Sequence, residues 1–250
     1  AEQYEDYEQQ EQKILDYSSN EIENQFRFEK ITRLNGFKLT YGGNYAHSRF
    51  TNNTFRPSAG SRGDVSREAF SSAINLNRWG LFGQVSRSFL QDQLSLSFGI
   101  RSYAMDYSNE TRNPLDQLSP RFSASYNLTP RLSANFNTGL YHQKPPYTVL
   151  SYENDQGELV NKANGLTYIS SRHLVGGFSY LTDFNTKFSV EGFYKQYDDY
   201  PLLLEANPLL PNEKISLANR GGDFGVVGNA PADASSEGRS YGMELLAQQK

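Results

Sequence analysis

Residues 118–147 read LSPRFSASYNLTPRLSANFNTGLYHQKPPY, and in this stretch apolar and polar side chains alternate on both sides of Thr129-Pro130. Every second residue is polar around Phe122, before the break, and around Phe136, after it. A period of two on both sides of a short break predicts a β-hairpin with one apolar and one polar face. Such a ribbon fits either a soluble sandwich with an apolar core or a transmembrane barrel whose apolar face meets lipid.

The composition indicates a folded chain and excludes several functions. Aromatic residues make up 14% of the 250 residues, a share that disordered chains lack. The net charge of -4 argues against a general nucleic-acid binder, because no basic stripe is present to displace counterions from phosphate. The lack of cysteine excludes disulfides and thiolate metal sites. No apolar run reaches the roughly eighteen residues that a transmembrane helix needs.

The two-faced pattern recurs along the chain. Asn35-Gly36 separates two alternating runs, and Asn-Gly is a strong hairpin signal because both residues tolerate a positive φ. The alternation predicts about nine strands. Short turns are predicted near residues 34, 91, 130 and 184, and long irregular connections at residues 49–68, 108–117, 142–167 and 196–238. Residues 1–20 are predicted to form an acidic loop at the end that carries the long connections.

Short turns therefore alternate strictly with long connections, which is typical of outer-membrane barrels with tight periplasmic turns and long extracellular loops. Aromatic residues on the apolar faces also fall at two heights about 25 Å apart, as expected of girdles at two membrane interfaces. The fold class predicted is all-β, an antiparallel transmembrane β-barrel segment. The upper girdle is predicted to contain Tyr45, Trp79 and Tyr194, and the lower girdle Phe89, Tyr126, Tyr180 and Phe188.

Charged residues of the strands fall on the face opposite the apolar stripe. A charge facing hydrocarbon would cost several kcal/mol, so these side chains are predicted to face the lumen of the barrel. The predicted lumen-facing residues are Arg27, Glu29, Lys38, Arg101, Arg121, Lys187 and Glu191.

Three segments together resemble the barrel of a TonB-dependent outer-membrane receptor. These are residues 118–147, residues 174–201 (LVGGFSYLTDFNTKFSVEGFYKQYDDYP) and residues 240–250 (SYGMELLAQQK). Each motif alone is alternation plus turn residues, whereas their order and spacing are fairly specific. The dense use of Tyr and Asn is similar to that in the Bacteroidetes branch of this family.

The resemblance implies a 22-stranded barrel, plugged by a globular domain, that imports a scarce ligand such as a siderophore, cobalamin or a glycan. Energy would come through the TonB complex, and a surface lipoprotein is a further partner of this branch. Residues 1–250 would then be part of the barrel, and the plug and the C-terminal strands would lie outside this chain. The implied location is the bacterial outer membrane, in contact with its lipid.

Candidate chemistry is sparse, and no enzymatic activity, metal or cofactor is predicted. The three histidines are far apart in sequence and form no metal-ligand pattern. Arg62-Gly63-Asp64 in a glycine-rich stretch is read as loop sequence. Two other functions stay open: a passive porin, and a soluble all-β binding or adhesion module. Ligand contacts are expected from loop aromatics that can stack on sugars or aromatic chelators, namely Tyr147, Tyr152, Tyr197 and Tyr200.

Overall fold

The computed structural model describes residues 2–4, 13–59, 65–154, 156–204, 214–217 and 230–249. These residues form one antiparallel sheet and three one-turn helices. No helix in the described ranges is both long enough and apolar enough to cross a membrane.

Nine strands of eight or more residues make up the sheet in the described ranges, as the alternation predicts. These are β2 (Lys13–Leu34), β3 (Phe37–Ala59), β4 (Val65–Phe89), β5 (Leu94–Arg101), β7 (Ser119–Asn127), β8 (Leu132–Gln143), β9 (Ile169–Leu181), β10 (Thr186–Leu203) and β12 (Ala232–Gln249). The short strands are β1 (Glu2–Tyr4), β6 (Ala104–Met105) and β11 (Ile215–Ser216), and the helices are α1 (Asn109–Arg112), α2 (Tyr147–Leu150) and α3 (Val160–Ala163).

The strands follow one another as a meander. Each long strand pairs antiparallel with the next long strand along the chain, and β12 pairs with β10. The short strands β1, β6 and β11 add to β2, β4 and β10. Consecutive antiparallel neighbours are what short hairpin turns produce, so the local turns determine the order of the sheet.

The four predicted short turns are confirmed at one end of the sheet. Asn35 and Gly36 have φ angles of 50° and 80°, the left-handed pair that a two-residue hairpin turn requires. The remaining turns lie between β4 and β5, β7 and β8, and β9 and β10. Asn185, in the last of these, also has a positive φ of 56°. We call this end of the sheet the turn end and the opposite end the loop end.

Register keeps the two faces separate across the whole sheet. Phe26 lies opposite Tyr45, which lies opposite Trp79, so these three side chains share one face. Further along the sheet, Phe178 lies opposite Val190 on the same face. This apolar face is open to its surroundings: Phe178 is 53% exposed. Such a broad exposed apolar surface requires a covering, either lipid or a second protein surface.

Buried apolar residues collect at the loop end of the polar face. There the helices and the ends of the long connections fold onto β3 and β4, and the Tyr147 ring stacks on Phe50 with 5.5 Å between the ring centres. The Tyr107 hydroxyl donates a hydrogen bond to the Leu150 carbonyl at 3.1 Å. We call this the loop core; it comprises Phe50, Ile74, Leu76, Met105, Tyr107, Tyr147, Val149, Leu150, Leu166, Tyr168, Leu203, Leu217, Ala230 and Ala232.

Three predicted loops are wrong in extent, because strands continue into them. In residues 49–68, β3 runs on to Ala59 and β4 begins at Val65. In residues 196–238, β10 continues to Leu203 and β12 begins at Ala232. In residues 1–20, β1 and the start of β2 are strands. The prediction of an irregular chain holds in residues 108–117, 144–154 and 156–167 apart from the one-turn helices. Arg62-Gly63-Asp64 lies outside the described residues.

Candidate functional site

Arginine side chains lie against aromatic rings on the polar face of the middle strands. The guanidinium carbon of Arg27 lies 4.7 Å from the centre of the Phe82 ring, and that of Arg101 lies 5.9 Å from the same centre. Register explains this grouping, since Phe82 stands opposite Arg101 on β5 and opposite Gly42 on β3. A Cβ atom at Gly42 would come within 2.8 Å of the Phe82 ring, so the glycine leaves room for it.

The contacts continue from β5 to β9. The guanidinium carbon of Arg101 lies 4.8 Å from the centre of the Tyr103 ring, and the Tyr103 hydroxyl accepts a hydrogen bond from Arg121 at 3.1 Å. Arg121 lies 4.2 Å from the centre of the Tyr141 ring. Tyr141 in turn stacks on His173 with 4.4 Å between ring centres. We call this continuous row the belt; it consists of Arg27, Phe82, Arg101, Tyr103, Arg121, Tyr141 and His173.

Positive charge dominates the belt. Arg27 is paired with Glu29, whose carboxylate lies 2.6 Å away. Among the residues that the structure describes, neither Arg101 nor Arg121 has a carboxylate within 4.0 Å. Lys195 stands opposite the belt's histidine across β9 and β10 and adds a further cation. The belt can therefore attract acidic groups, because Arg101 and Arg121 lie against rings and have no carboxylate partner among the described residues.

A second polar cluster borders the loop core. The Glu23 carboxylate accepts hydrogen bonds from Arg78 and from the Ser48 hydroxyl, the latter at 3.0 Å. The Lys144 ammonium nitrogen lies 3.4 Å from the centre of the Tyr147 ring. Lys144 follows β8, and the Tyr147 ring that it contacts stacks on Phe50 of β3, so the connection after β8 crosses the polar face.

The described residues offer no group of His, Asp and Glu side chains arranged to hold a metal ion. The N–H donors of the belt can bind acidic oxygen atoms, and its rings can stack on planar groups.

Comparison with known proteins identifies the family. A family model described as TonB dependent receptor-like, beta-barrel matches residues 2–250. The chain belongs to this family. Hence this TonB-dependent receptor barrel lies in the outer membrane. In such a barrel a two-faced sheet is expected to turn its apolar face to lipid and its polar face to the lumen. A comparison with curated proteins gave no match.

Solved structures show the same fold. The receptor chain is similar to the copper transporter OprC (TM-score 0.60, identity 14%), to the iron transporter FrpB from Neisseria meningitidis (0.59, 16%) and to the ferric-catecholate import receptor Fiu from Escherichia coli K12 (0.57, 11%). The matches cover 94%, 93% and 94% of this chain, but only 36%, 34% and 36% of those chains. The chain thus spans about a third of the length of these relatives.

All seven predicted lumen-facing residues lie on the polar face by register. Arg27, Arg101 and Arg121 belong to the belt, and Glu29 pairs with its first arginine. The other three lie on strands near the turns or beyond the belt: Lys38 on β3, and Lys187 and Glu191 on β10.

The predicted girdle residues lie on the apolar face. Tyr45 lies directly opposite Trp79, and Tyr180 lies directly opposite Phe188 nearer the turn end. Tyr194 shares the upper level; Phe89 and Tyr126 share the lower one. Their role at the two membrane interfaces stays a prediction.

The four predicted ligand-contact tyrosines do not form one site. Tyr147 is only 5% exposed, because it stacks within the loop core and leaves little surface for a ligand. Tyr197 and Tyr200 were expected in a loop but lie in β10, where their rings meet edge to face with 6.3 Å between centres. Tyr152 lies in the connection between α2 and α3.

Sequence reasoning missed the aromatic half of the belt. Phe82 is a large apolar residue on the polar face of β4, between Gly80 and Gln84 on the same face. Such an apolar residue on a lumen-facing row was the signal that could have been found. The pairing of Tyr141 with His173 requires the register of β8 on β9, which alternation alone does not provide.

The lysine beside the loop core is expected to make the stability of the receptor depend on pH. Burial, with a smaller contribution from Arg78, lowers the pKa of Lys144 to about 8 from 10.5, against the opposing carboxylates of Glu21 and Glu23. Between these two pKa values the unfolded chain binds more protons, so the free energy of unfolding rises with pH by about 1–3 kcal/mol.

Urea unfolding of the full-length receptor in neutral detergent, from about pH 8 to about pH 9, measures the lower part of this rise. The variant Lys144→Met should lose it, and Lys162→Met, on the exposed side of α3, should keep it. The measurements stop below the pH at which tyrosines of the unfolded chain ionise. Burial raises the pKa of Tyr107 and of Tyr168 in the folded receptor, so at higher pH the free energy of unfolding falls again. Equal pH profiles for wild type and Lys144→Met would contradict the prediction.

Proposed function

We propose that this chain forms part of the barrel wall of a receptor that takes up a scarce ligand by TonB-dependent, energy-coupled import. The family match over residues 2–250 carries the proposal. Two features of the structure support it: one face of the sheet is suited to lipid, and the other carries charge and folded connections at the loop end. The relatives named above are transporters and receptors, so the proposal includes no enzymatic activity.

The whole receptor is proposed to carry a plug domain inside the barrel and to receive energy from the TonB complex. A surface lipoprotein partner is part of the same proposal. Because the loop core and the connection after β8 lie over the polar face, the proposed lumen is narrower at the loop end. A narrowed mouth favours a receptor over a passive porin, which needs an open water-filled channel.

Uptake by whole cells tests the function. A deletion strain and a strain complemented with the full-length gene would be compared for accumulation of iron-loaded siderophores, cyanocobalamin and oligosaccharides. We expect the deletion to abolish uptake of one of these classes, and a protonophore or loss of TonB to have the same effect. Accumulation that depends on the gene but not on TonB or on the protonophore would instead establish a porin.

A further inference from the structure

We propose that the apolar face of β4 holds one anionic phospholipid near the turn end, with its phosphate on Arg87 and one acyl chain in a groove that runs from Arg87 towards the loop end. The proposal depends on the place of the chain in the outer membrane and not on what the receptor imports.

Two cations of the described strands lie on the apolar face between the predicted girdle levels. Lys30 lies opposite Tyr41 on β2, and Arg87 lies opposite Phe37 on β4. Of the two strands, β4 has both of its neighbours, β3 and β5, in the described part of the chain. A strand from outside this chain that joined the sheet beyond β2 would lie about 14 Å from β4. The surroundings of Arg87 on this face are therefore supplied by this chain and by lipid.

The guanidinium of Arg87 is held in place by rings. Its carbon lies 4.5 Å from the centre of the Phe37 ring and 5.1 Å from the centre of the Phe89 ring. None of the ion pairs between described residues includes Arg87, whereas Arg131, also at the turn end, is paired with Asp183. A guanidinium on a lipid-facing surface needs an anion, and its planar fork matches the two free oxygens of a phosphodiester.

A groove leads from Arg87 along β4 towards the loop end. Its floor is formed by Val85 and Gly83, and a Cβ atom at Gly83 would meet no other atom within 4 Å. Larger side chains stand on both sides of this floor: Leu39 and Tyr41 on β3, and Phe98 and Ile100 on β5. From Arg87 to Gly83 the floor is about 13 Å long, comparable with one leaflet of an apolar band about 25 Å tall.

Charge and depth together identify the occupant. The short turns of such barrels face the periplasm, so the headgroups at the level of Arg87 belong to phospholipids of the periplasmic leaflet. Basic residues at this depth attract anionic headgroups. Gly176 and Gly192, which lie opposite each other on the same face, form a second depression, but their described neighbours on that face carry no charge. That depression has space for a chain and no partner for a phosphate, so it serves as an internal comparison.

Native mass spectrometry of the full-length receptor, released from neutral detergent micelles, tests the site. Dioleoyl phosphatidylglycerol is the anionic probe, and dioleoyl phosphatidylcholine is its zwitterionic analogue. We expect one phosphatidylglycerol molecule to bind about fivefold more tightly than phosphatidylcholine, since a basic residue near the membrane surface adds about that factor for an anionic lipid. Glycerol phosphate, which has the phosphate but no acyl chain, should not displace it at equal concentration.

Variants locate the lipid. Arg87→Gln should remove the preference for phosphatidylglycerol, and Arg87→Lys should keep part of it, because lysine keeps the charge but loses the fork. Gly83→Leu fills the groove and should weaken both lipids by about threefold, since only packing contacts are lost where the surroundings are already hydrocarbon. Arg131→Gln and Gly192→Leu are the matched controls and should bind both lipids as wild type does. The gel-mobility shift of the folded barrel shows that each variant is folded.

Four results would overturn the proposal. Equal binding of the two lipids by wild type, or an unchanged preference in Arg87→Gln, would show that Arg87 does not hold the phosphate. Equal weakening by Gly83→Leu and Gly192→Leu would show that the groove on β4 is not distinct from other hollows of the apolar face. Displacement by glycerol phosphate would show a site for free phosphate. Where Arg87→Gln does not fold, the lipid preference of wild type and the difference between the two leucine variants decide.

Discussion

An arginine in place of Phe178 is expected to prevent stable insertion of the receptor, whereas an arginine at the next residue, Ser179, should be tolerated. Phe178 is 53% exposed on the apolar face, between the two girdle levels. Ser179 lies on the polar face opposite Ser133. An arginine that faces lipid near the bilayer midplane costs about 2–4 kcal/mol, and the lost contacts of the phenyl ring add to this. In the lumen the same side chain remains hydrated.

Equilibrium unfolding in lipid vesicles and the gel-mobility shift of the folded barrel would both measure this difference. The wild-type sequence supports the dependence on depth, since Arg87 lies on the apolar face only two residues before the end of β4. There its guanidinium carbon lies 4.5 Å from the centre of the Phe37 ring, near the predicted lower girdle. Similar losses for Phe178→Arg and Ser179→Arg would argue against a lipid-facing stripe.

The membrane-spanning part of this fold could be predicted from sequence because two local signals agree there. Alternation sets the face of each side chain, and short turns such as Asn35-Gly36 set the register of neighbouring strands. Once both are known, the position of Phe178 opposite Val190 follows without any long-range information.

Towards the loop end the hydropathy of the strand residues no longer alternates, although their burial still does. Hydropathy therefore failed to predict the strands there. On β3, Ser48, Phe50, Asn52 and Thr54 are all buried, and most of them are polar. Their burial comes from connections far along the chain, and the Thr54 hydroxyl is satisfied locally by the Asn52 side-chain oxygen at 2.7 Å. A strand whose buried face is polar gives no hydropathy signal, so residues 49–68 looked like a loop.

The sequence could place the arginines of the belt but not the contacts that join them to its rings. Arg101 and Arg121 fall on the polar face by local alternation. Tyr103 lies after the end of β5, where the chain leaves the ladder, and its contacts with both arginines depend on how that segment folds back. Neither period nor spacing carries that information.

Replacement of Asn161 is expected to release the loop core from the strands while the barrel remains intact. Its side chain is fully buried, and its amide nitrogen donates to the Val149 carbonyl at 2.8 Å and to the Ala230 carbonyl at 3.3 Å. Its oxygen accepts from the Ala232 backbone N–H at 2.7 Å. One residue thus joins the connection after β8 to the start of β12. Asn161→Leu would leave three buried backbone groups unpaired, at about 1–3 kcal/mol each.

Hydrogen exchange of the full-length receptor in micelles separates local release from global unfolding. In Asn161→Leu, amides of residues 147–151 and 230–236 should exchange about a hundredfold faster or more, because local opening then costs several kcal/mol less. Amides at the turn end, in the β9 and β10 hairpin, should keep their wild-type rates, since their ladder bonds do not involve the loop core.

Lys162→Ala changes an exposed residue of the helix that holds Asn161 and should leave the exchange rates of both sets of amides unchanged. If the hairpin amides accelerated together with those of the loop core, the two parts would unfold as one cooperative unit, and the loop core would be part of what holds the barrel together.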